Sequence, residues 1–298
     1  MPDRSTPDAQ PALLLVGHGS RSPAGVAAYW HFASVLKAEA PDLEVGCGFI
    51  ELAEPDLDTA VDGLVAAGAT SVVAVPLVLL GAGHMKSDGP AILARARHRH
   101  PGVEFAYARD LGIHPSVLAV AEDRIREALP AGDGAGAGVD PATDAVVLVS
   151  RGSTDPDANA DLYKVARLLA DSRGLGMVEP AYVSLASPDV PAALERCRRL
   201  GAERIAVVPY FLFTGVLVDR IHGQARGWAA DHPEIEVLTG PELGADPRLA
   251  RLVLERYGEA RAGESRMNCD CCIYRAPLPG YESRVGAPIP VGQHSHQH

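Results

Sequence analysis

Short apolar, β-branched runs alternate with longer stretches of helical spacing along most of the chain. That alternation is the pattern of a parallel α/β architecture, in which strands covered on both faces read as continuous hydrophobic runs. The runs predict strands near residues 12–17, 45–50, 71–76 and 103–107, and again near 145–149, 178–183, 204–209 and 235–239. Segments such as "AGVAAYWHFASVLKAEA" and "DLYKVARLLADS" carry apolar residues three and four apart and predict the intervening helices. Between the two sets of strands lies "AGDGAGAGVDPAT", residues 131–143, whose glycine content suits a flexible linker. Residues 1–11 are polar and read as a disordered N-terminus, and residues 263–298 fall outside the pattern as a separate tail.

The two sets are copies of one another. "LLVGHGSRSP" matches "VLVSRGSTDP", "FIELAEPD" matches "YVSLASPD", and "VVAVPLVLLGAGH" matches "RIAVVPYFLFTGVL". The matched positions stay 133 residues apart (151 − 18, 184 − 51, 217 − 84). Further on, "HPGVEF" and "LGIHP" meet "HPEIEV" and "LGADP" at a spacing of 132 (232 − 100, 247 − 115). A register kept over so many elements implies a duplicated α/β domain, residues 12–130 and 144–262. Each copy is expected to be a flavodoxin-like, mainly four-stranded parallel sheet flanked by helices.

The copies differ where chemistry would sit. His18 becomes Arg151, Glu51 becomes Ser184 and His84 becomes Leu217, whereas Gly19/Gly152, Ser20/Ser153, Pro55/Pro188 and Pro76/Pro209 are kept. Either one half carries a reaction and the other has lost it, or three polar positions have drifted. The three first-copy residues follow the carboxyl ends of the first three expected strands, the edge at which open α/β sheets bind ligands. With strand order 2-1-3-4 the first strand lies between the other two, about 4.8 Å from each neighbour, so side chains from the three ends can converge. Two imidazoles brought together there can share a metal ion. In "LLGAGHMKSDGP", the small glycines let a flat ligand lie against backbone amides, which makes Leu80, Gly81, Ala82 and Gly83 candidate substrate contacts, and Asp88-Gly-Pro reads as a helix start.

Composition narrows the partners. Over 298 residues the formal net charge is −11, which argues against a general binder of nucleic acid or of anionic membranes. No apolar run approaches the roughly 20 residues of a membrane span, and the polar N-terminal segment lacks the apolar core of a signal peptide. Five cysteines, three of them crowded at Cys269, Cys271 and Cys272, suit a reducing cytoplasm and a metal or cluster tail better than a disulfide framework. Cys47 and Cys197 fall in a predicted strand and helix and read as inert. His31, His98, His100, His222 and His232 read as surface groups on or beside helices, while His114 sits in a loop before Pro115, nearer the strand ends. Ser20 lacks the spacing of a nucleophile elbow, and "GHGSRSPAG" is not a dinucleotide fingerprint.

Taken together, "GHGSR", "FIELAEPD" and "PLVLLGAGHMKSDGP" resemble the class II tetrapyrrole chelatases, specifically the long, two-copy sirohydrochlorin cobaltochelatases. The likeness extends over roughly residues 12 to 260. It implies that His18 and His84 hold a divalent metal and accept pyrrole protons, that Glu51 assists at the substrate, and that the tetrapyrrole sits in a cleft between the halves. Cobalt is the implied metal substrate, with iron or nickel as alternatives. The family's third motif often reads His-x-x-x-Asp-Ile-Pro; here His84, Asp88 and Pro90 match and Gly89 replaces the isoleucine. A polycarboxylated substrate calls for local cations, for which Arg21, Lys86, Arg109 and Arg151 are candidates, each otherwise a solvated surface charge. Met267-x-Cys269-x-x-Cys272 resembles the tail of some long cobaltochelatases in which cysteines hold an iron–sulfur cluster, with a subunit-bridging cluster and hence a dimer through the tail as one form. The competing reading is a redox-sensitive tail without a cluster, and His294, His296 and His298 either buffer metal ions or are solvated. Two functional alternatives stay open: a ferrochelatase for sirohaem, and a metal carrier or sensor that uses the same histidines and catalyses nothing.

Overall fold

The computed structural model describes residues 10–129, 139–265 and 282–285. The N-terminal residues 1–9, most of the glycine-rich linker and the tail with Cys269, Cys271, Cys272 and the three terminal histidines lie outside the described residues. The first copy runs β1 (Ala12–Gly17), α1 (Pro23–Glu39), β2 (Val45–Phe49), α2 (Leu57–Ala66), β3 (Ser71–Pro76), a π-helical turn (His84–Asp88) leading into α3 (Gly89–Arg99), β4 (Glu104–Tyr107) and α4 (Pro115–Ala128). The second repeats it with β5 (Asp144–Ser150), α5 (Pro156–Arg173), β6 (Met177–Tyr182), α6 (Val190–Arg199), β7 (Arg204–Pro209), α7 (Val216–Asp231), β8 (Glu236–Thr239) and α8 (Pro247–Arg261). All eight expected strands form, because each offers a run of residues that can be buried on both faces of a parallel sheet.

Each copy builds one four-stranded sheet, with order β2-β1-β3-β4 and β6-β5-β7-β8, and every pairing is parallel. The central strand is fully buried: Leu13, Leu14 and Leu15 have no solvent exposure, and neither do Val146, Val147 and Leu148. On one face of the first sheet Leu14 and Val16 pack with Leu57, Val61 and Leu64 of α2 and Leu93 of α3. The matching face of the second sheet packs Val147 and Val149 with Val190 and Leu194 of α6 and Ile221 of α7. Each such side chain contributes roughly 1.5–3 kcal/mol on burial. Helix starts follow sequence rules: Asp56 accepts from the Thr59 N–H (2.7 Å) at α2, and Asp189 from the Ala192 N–H (2.9 Å) at α6.

The compact units do not coincide with the sequence copies. One unit holds the segments up to Gly19, Ala40–Asp110 and from Val253 onward; the other holds Ser20–Glu39 and Leu111–Leu252. The first sheet thus shares its unit with the end of α8, and the second sheet shares its unit with α1 and α4. Arginines fasten these helices. Arg256 of α8 donates Nε to the Asp110 carbonyl (3.0 Å), and Arg124 of α4 donates Nε and Nη2 to the Leu243 carbonyl (3.3 and 3.2 Å). On α1, Tyr29 and Phe32 meet the edge of Phe213 at ring separations of 6.2 and 6.0 Å. No helix among the described residues is long and apolar enough to cross a membrane.

Candidate active site

β1 delivers His18 directly onto the carboxyl edge of the first sheet. The ladder to β2 continues past both strands: the Ile50 N–H donates to the Gly17 carbonyl (2.9 Å) and the Glu51 N–H to the His18 carbonyl (3.1 Å). These bonds set His18 and Glu51 side by side. The approach requires glycine at position 19, which adopts φ +96°; a Cβ there would lie 1.7 Å from the Glu51 carbonyl oxygen. The glycine after the histidine is therefore what lets the two loops touch.

His18 Nε2 lies 3.6 Å from Glu51 Oε1, outside hydrogen-bonding distance and within ion-pair range. The two facing atoms are shielded from solvent, while the side chains as wholes keep 33% and 25% of their exposure. A carboxylate oxygen at this distance would attract a cation bound beside the ring. Leu52 follows at φ 65°, a strained value for a non-glycine residue, and keeps its side chain exposed.

The second copy reproduces this scaffold without the chemistry. The Val183 N–H donates to the Ser150 carbonyl (2.9 Å) and the Ser184 N–H to the Arg151 carbonyl (3.0 Å). Gly152 has φ +82°, and its Cβ would lie 2.3 Å from the Ser184 carbonyl oxygen. Leu185 is left-handed and exposed like Leu52. Ser20 and Ser153 are turn formers in both copies, accepting from the N–H groups of Ser22 and Asp155 at 3.0 Å, which agrees with their lacking a nucleophile's setting. Leu217, the counterpart of His84, packs against the second core.

His84 opens the π-helical turn after β3, and its side chain lies outside the described residues. The turn is held by the Lys86 N–H on the Ala82 carbonyl (3.0 Å) and by Ser87 Oγ, which donates to the Gly83 carbonyl (2.6 Å) and to Asp88 Oδ1 (2.9 Å). Wide turns of this kind concentrate at functional positions, and α7 of the second copy begins without one. Here the sequence expectation needs a correction. Asp88 does not start the helix: its backbone is already helical (φ −73°, ψ −40°) and its side chain makes no capping bond. The π turn ahead of it already supplies carbonyl acceptors, so no cap is needed.

Two residues that the sequence did not single out organise this loop. Asp110, just beyond β4, accepts from the Gly81 N–H at 2.8 Å. Burial pushes its carboxyl up, against the pull of Arg109, the Gly81 N–H, Arg256 and Lys86. Tyr107 fills the space at Gly89: a Cβ on residue 89 would lie 2.1 Å from the phenolic oxygen. That explains the glycine standing where the resembled motif has isoleucine. The one trace of Tyr107 in the sequence was Gly89 itself, a loss of bulk that leaves room for a large neighbour.

The remaining candidates separate. Gly81 is buried, and Leu80, Ala82 and Gly83 are half-buried along the loop before His84. Lys86 and Arg109 are half-buried and belong to the same unit as His18 and Glu51. Arg21, exposed, and Arg151, half-buried, belong to the unit of the second sheet. His114 caps α4, its Nδ1 accepting from the Ser116 N–H at 3.2 Å. Cys197 is fully buried, and desolvation pushes its thiol up to about 12, which keeps it unreactive at neutral pH. No cluster of three or more histidine, cysteine or acidic side chains able to hold a metal occurs among the described residues.

Comparison with known proteins gives a consistent picture. The CbiX family pattern matches residues 12–128 and again 145–260. The chain is 38% identical to the sirohydrochlorin cobaltochelatase of Priestia megaterium over 268 residues, covering 89% of this chain and 84% of that one. It is 30% identical to the sirohydrochlorin ferrochelatase of Bacillus subtilis (strain 168), covering 84% and 92%. Among solved structures, the cobalt complex of the sirohydrochlorin chelatase SirB from Bacillus subtilis subspecies spizizenii superposes with a TM-score of 0.71 at 30% identity, over 86% of this chain and 98% of that one. The duplicated sheets, the paired loops at their edges and these similarities lead to one conclusion: the chain belongs to the CbiX family, in its long form with two copies of the domain.

Proposed function

We propose that this chain inserts a divalent metal ion, cobalt in the first instance, into sirohydrochlorin. The reaction exchanges two pyrrole N–H protons for one M²⁺, so the protein must deliver the ion to the ring and carry two protons away. His18 and His84 hold the ion through neutral ring nitrogens, a donor type suited to borderline divalent metals. As the ion passes to the macrocycle nitrogens, the released imidazoles accept the pyrrole protons, and the Glu51 carboxylate beside His18 offsets the charge. Arg21 and Arg151 meet substrate carboxylates, and the segment Leu80, Gly81, Ala82 and Gly83 lies along the flat face of the ring.

The observation that carries this reading is the His18–Glu51 pair, 3.6 Å apart at the carboxyl edge of one sheet and replaced by Arg151 and Ser184 on the same scaffold in the other. The Priestia megaterium relative named for cobalt insertion supports the choice of metal. Absorption spectra of sirohydrochlorin with protein and Co²⁺ test it. Insertion well above the uncatalysed rate is expected, with sharp loss in His18→Ala and His84→Ala. A protein that binds Co²⁺ but leaves insertion at background is a carrier or sensor, and this reading fails.

Iron is the second reading, favoured by the Bacillus subtilis relative named as a ferrochelatase; the same assay with Fe²⁺ under anaerobic conditions ranks the two metals. For the tail, the proposal is that Cys269, Cys271 and Cys272 contribute to an iron–sulfur cluster in a reducing cytoplasm, where thiolate ligands persist. Iron and sulfide analysis of anaerobically purified protein tests it.

A further inference from the structure

We propose that Asp110 is a positioning residue for the metal loop: its carboxylate fastens the backbone at Gly81, three residues ahead of His84, and Arg256 of α8 fastens Asp110 in turn. The inference rests on the reading of His84 as a metal-holding residue. Between the end of β3 and the helical turn that begins at Gly83, Leu77 to Ala82 form no helix or strand. The near end of this stretch is tied to β1, where the Leu77 N–H donates to the Val16 carbonyl at 2.8 Å. The far end is tied by Ser87 Oγ on the Gly83 carbonyl at 2.6 Å. In the middle, the Gly81 N–H meets Asp110 Oδ2 at 2.8 Å. A charge-assisted bond of this kind is short and strong, and it fixes the loop at a single point.

The surroundings leave little freedom on either side of that bond. A Cβ at Gly81 would lie 3.0 Å from Asp110 Oδ2 and 3.1 Å from the Met85 sulfur, so the backbone there is closely enclosed. Arg256 is 2% exposed; its Nε donates to the Asp110 carbonyl at 3.0 Å and its Nη1 to Glu259 at 2.7 Å. The brace is particular to the copy with the histidine. Its counterparts in the second copy are Thr214 (214 − 81 = 133) and Glu242 (242 − 110 = 132), and no hydrogen bond joins them among the described residues. Beside the second sheet, Arg124 of α4, the counterpart of Arg256 (256 − 124 = 132), donates to a backbone carbonyl one position further on, that of Leu243, without the carboxylate clasp.

The test is Co²⁺ binding to the full chain, read from the visible d–d bands of the bound ion and by calorimetry, with unfolding temperature measured alongside. Asp110→Ala is expected to weaken Co²⁺ by about tenfold, the low end for groups that orient metal ligands from outside the coordination sphere, and to change the d–d spectrum. Asp110→Asn keeps an oxygen acceptor for the Gly81 N–H and is expected to retain the parental spectrum and most of the affinity. If Asp110→Ala does not fold, Arg256→Gln leaves the carboxylate and removes its support, and a weaker, altered Co²⁺ site is again expected. Folded Asp110→Ala or Arg256→Gln protein with parental affinity and spectrum overturns the brace, provided His18→Ala has lost Co²⁺ in the same experiment. If His18→Ala binds Co²⁺ as the parent does, the metal reading itself falls and the brace falls with it.

Discussion

The phenolic oxygen of Tyr107 stands where a side chain on residue 89 would begin, 2.1 Å from the Cβ position of Gly89. The hydroxyl is shielded from solvent and makes no hydrogen bond among the described residues, so the ring is there for its volume. Gly89→Ile is therefore expected to overpack the site and lower stability by about 1–3 kcal/mol or more. Adding Tyr107→Ala to the same chain should recover most of the loss. Thermal unfolding of the two single variants and the double variant measures the coupling; additive losses would contradict the shared-space account.

Glu51→Gln keeps the size of the side chain and removes its charge beside His18. Metal insertion is expected to slow by roughly 10²-fold, the lower bound for a positioned acid–base group, with little change in unfolding temperature. Ser184→Ala, at the matching place in the second copy, should leave the rate unchanged. Steady-state rates of insertion for both variants make the comparison.

Gly19→Ala asks for a left-handed alanine whose methyl would lie 1.7 Å from the Glu51 carbonyl oxygen. The loops of His18 and Glu51 must then separate. The expected result is loss of insertion activity together with lower stability, beyond the roughly 1–2 kcal/mol that an L-residue pays for the left-handed conformation alone. Circular dichroism with the activity assay checks both parts.

Asp144 is 3% exposed and meets Arg204 in a bidentate pair, Nε to Oδ1 at 2.8 Å and Nη2 to Oδ2 at 2.7 Å. Burial raises its carboxyl, but the Arg204 bonds, the Asp140 N–H and the guanidinium charge outweigh burial and hold it below the ordinary carboxylate range. A depressed folded-state value means stability that is present above the unfolded value, near pH 4, and lost as pH falls through the folded one. Urea midpoints measured between pH 7 and pH 2 should drop in that acid window. In Asp144→Asn this contribution to the acid dependence should disappear, and stability at pH 7 should fall by about 1–3 kcal/mol, the range for losing hydrogen bonds to a charged group when the remaining partner, Arg204, stays partly solvated.

The fold was legible because its signals are local. Runs such as Leu13–Leu15 cannot be placed anywhere but in a buried strand, and the 133-residue register carried one copy's assignment to the other. Gly19, which the sequence shows kept as Gly152 in the other copy, sits where the backbone closely approaches that of Glu51. What the sequence concealed depends on contacts between distant segments. Nothing in the run "YARDLG" marks Asp110 as the partner of Gly81, 29 residues earlier, or Tyr107 as the occupant of the space at Gly89. The π turn was missed because Asp88-Gly-Pro looks like a helix start, and only the preceding hydrogen bonds show that the helix is already under way.

The assignment of α4 to the unit of the second sheet, and of the end of α8 to that of the first, bears on how this protein can be dissected. A fragment ending near the glycine-rich stretch would retain a helix its own sheet does not use and forfeit one that it does. Truncation at the apparent midpoint would therefore yield an orphan rather than a minimal catalyst, and any failing in such a fragment would say little about the parent enzyme.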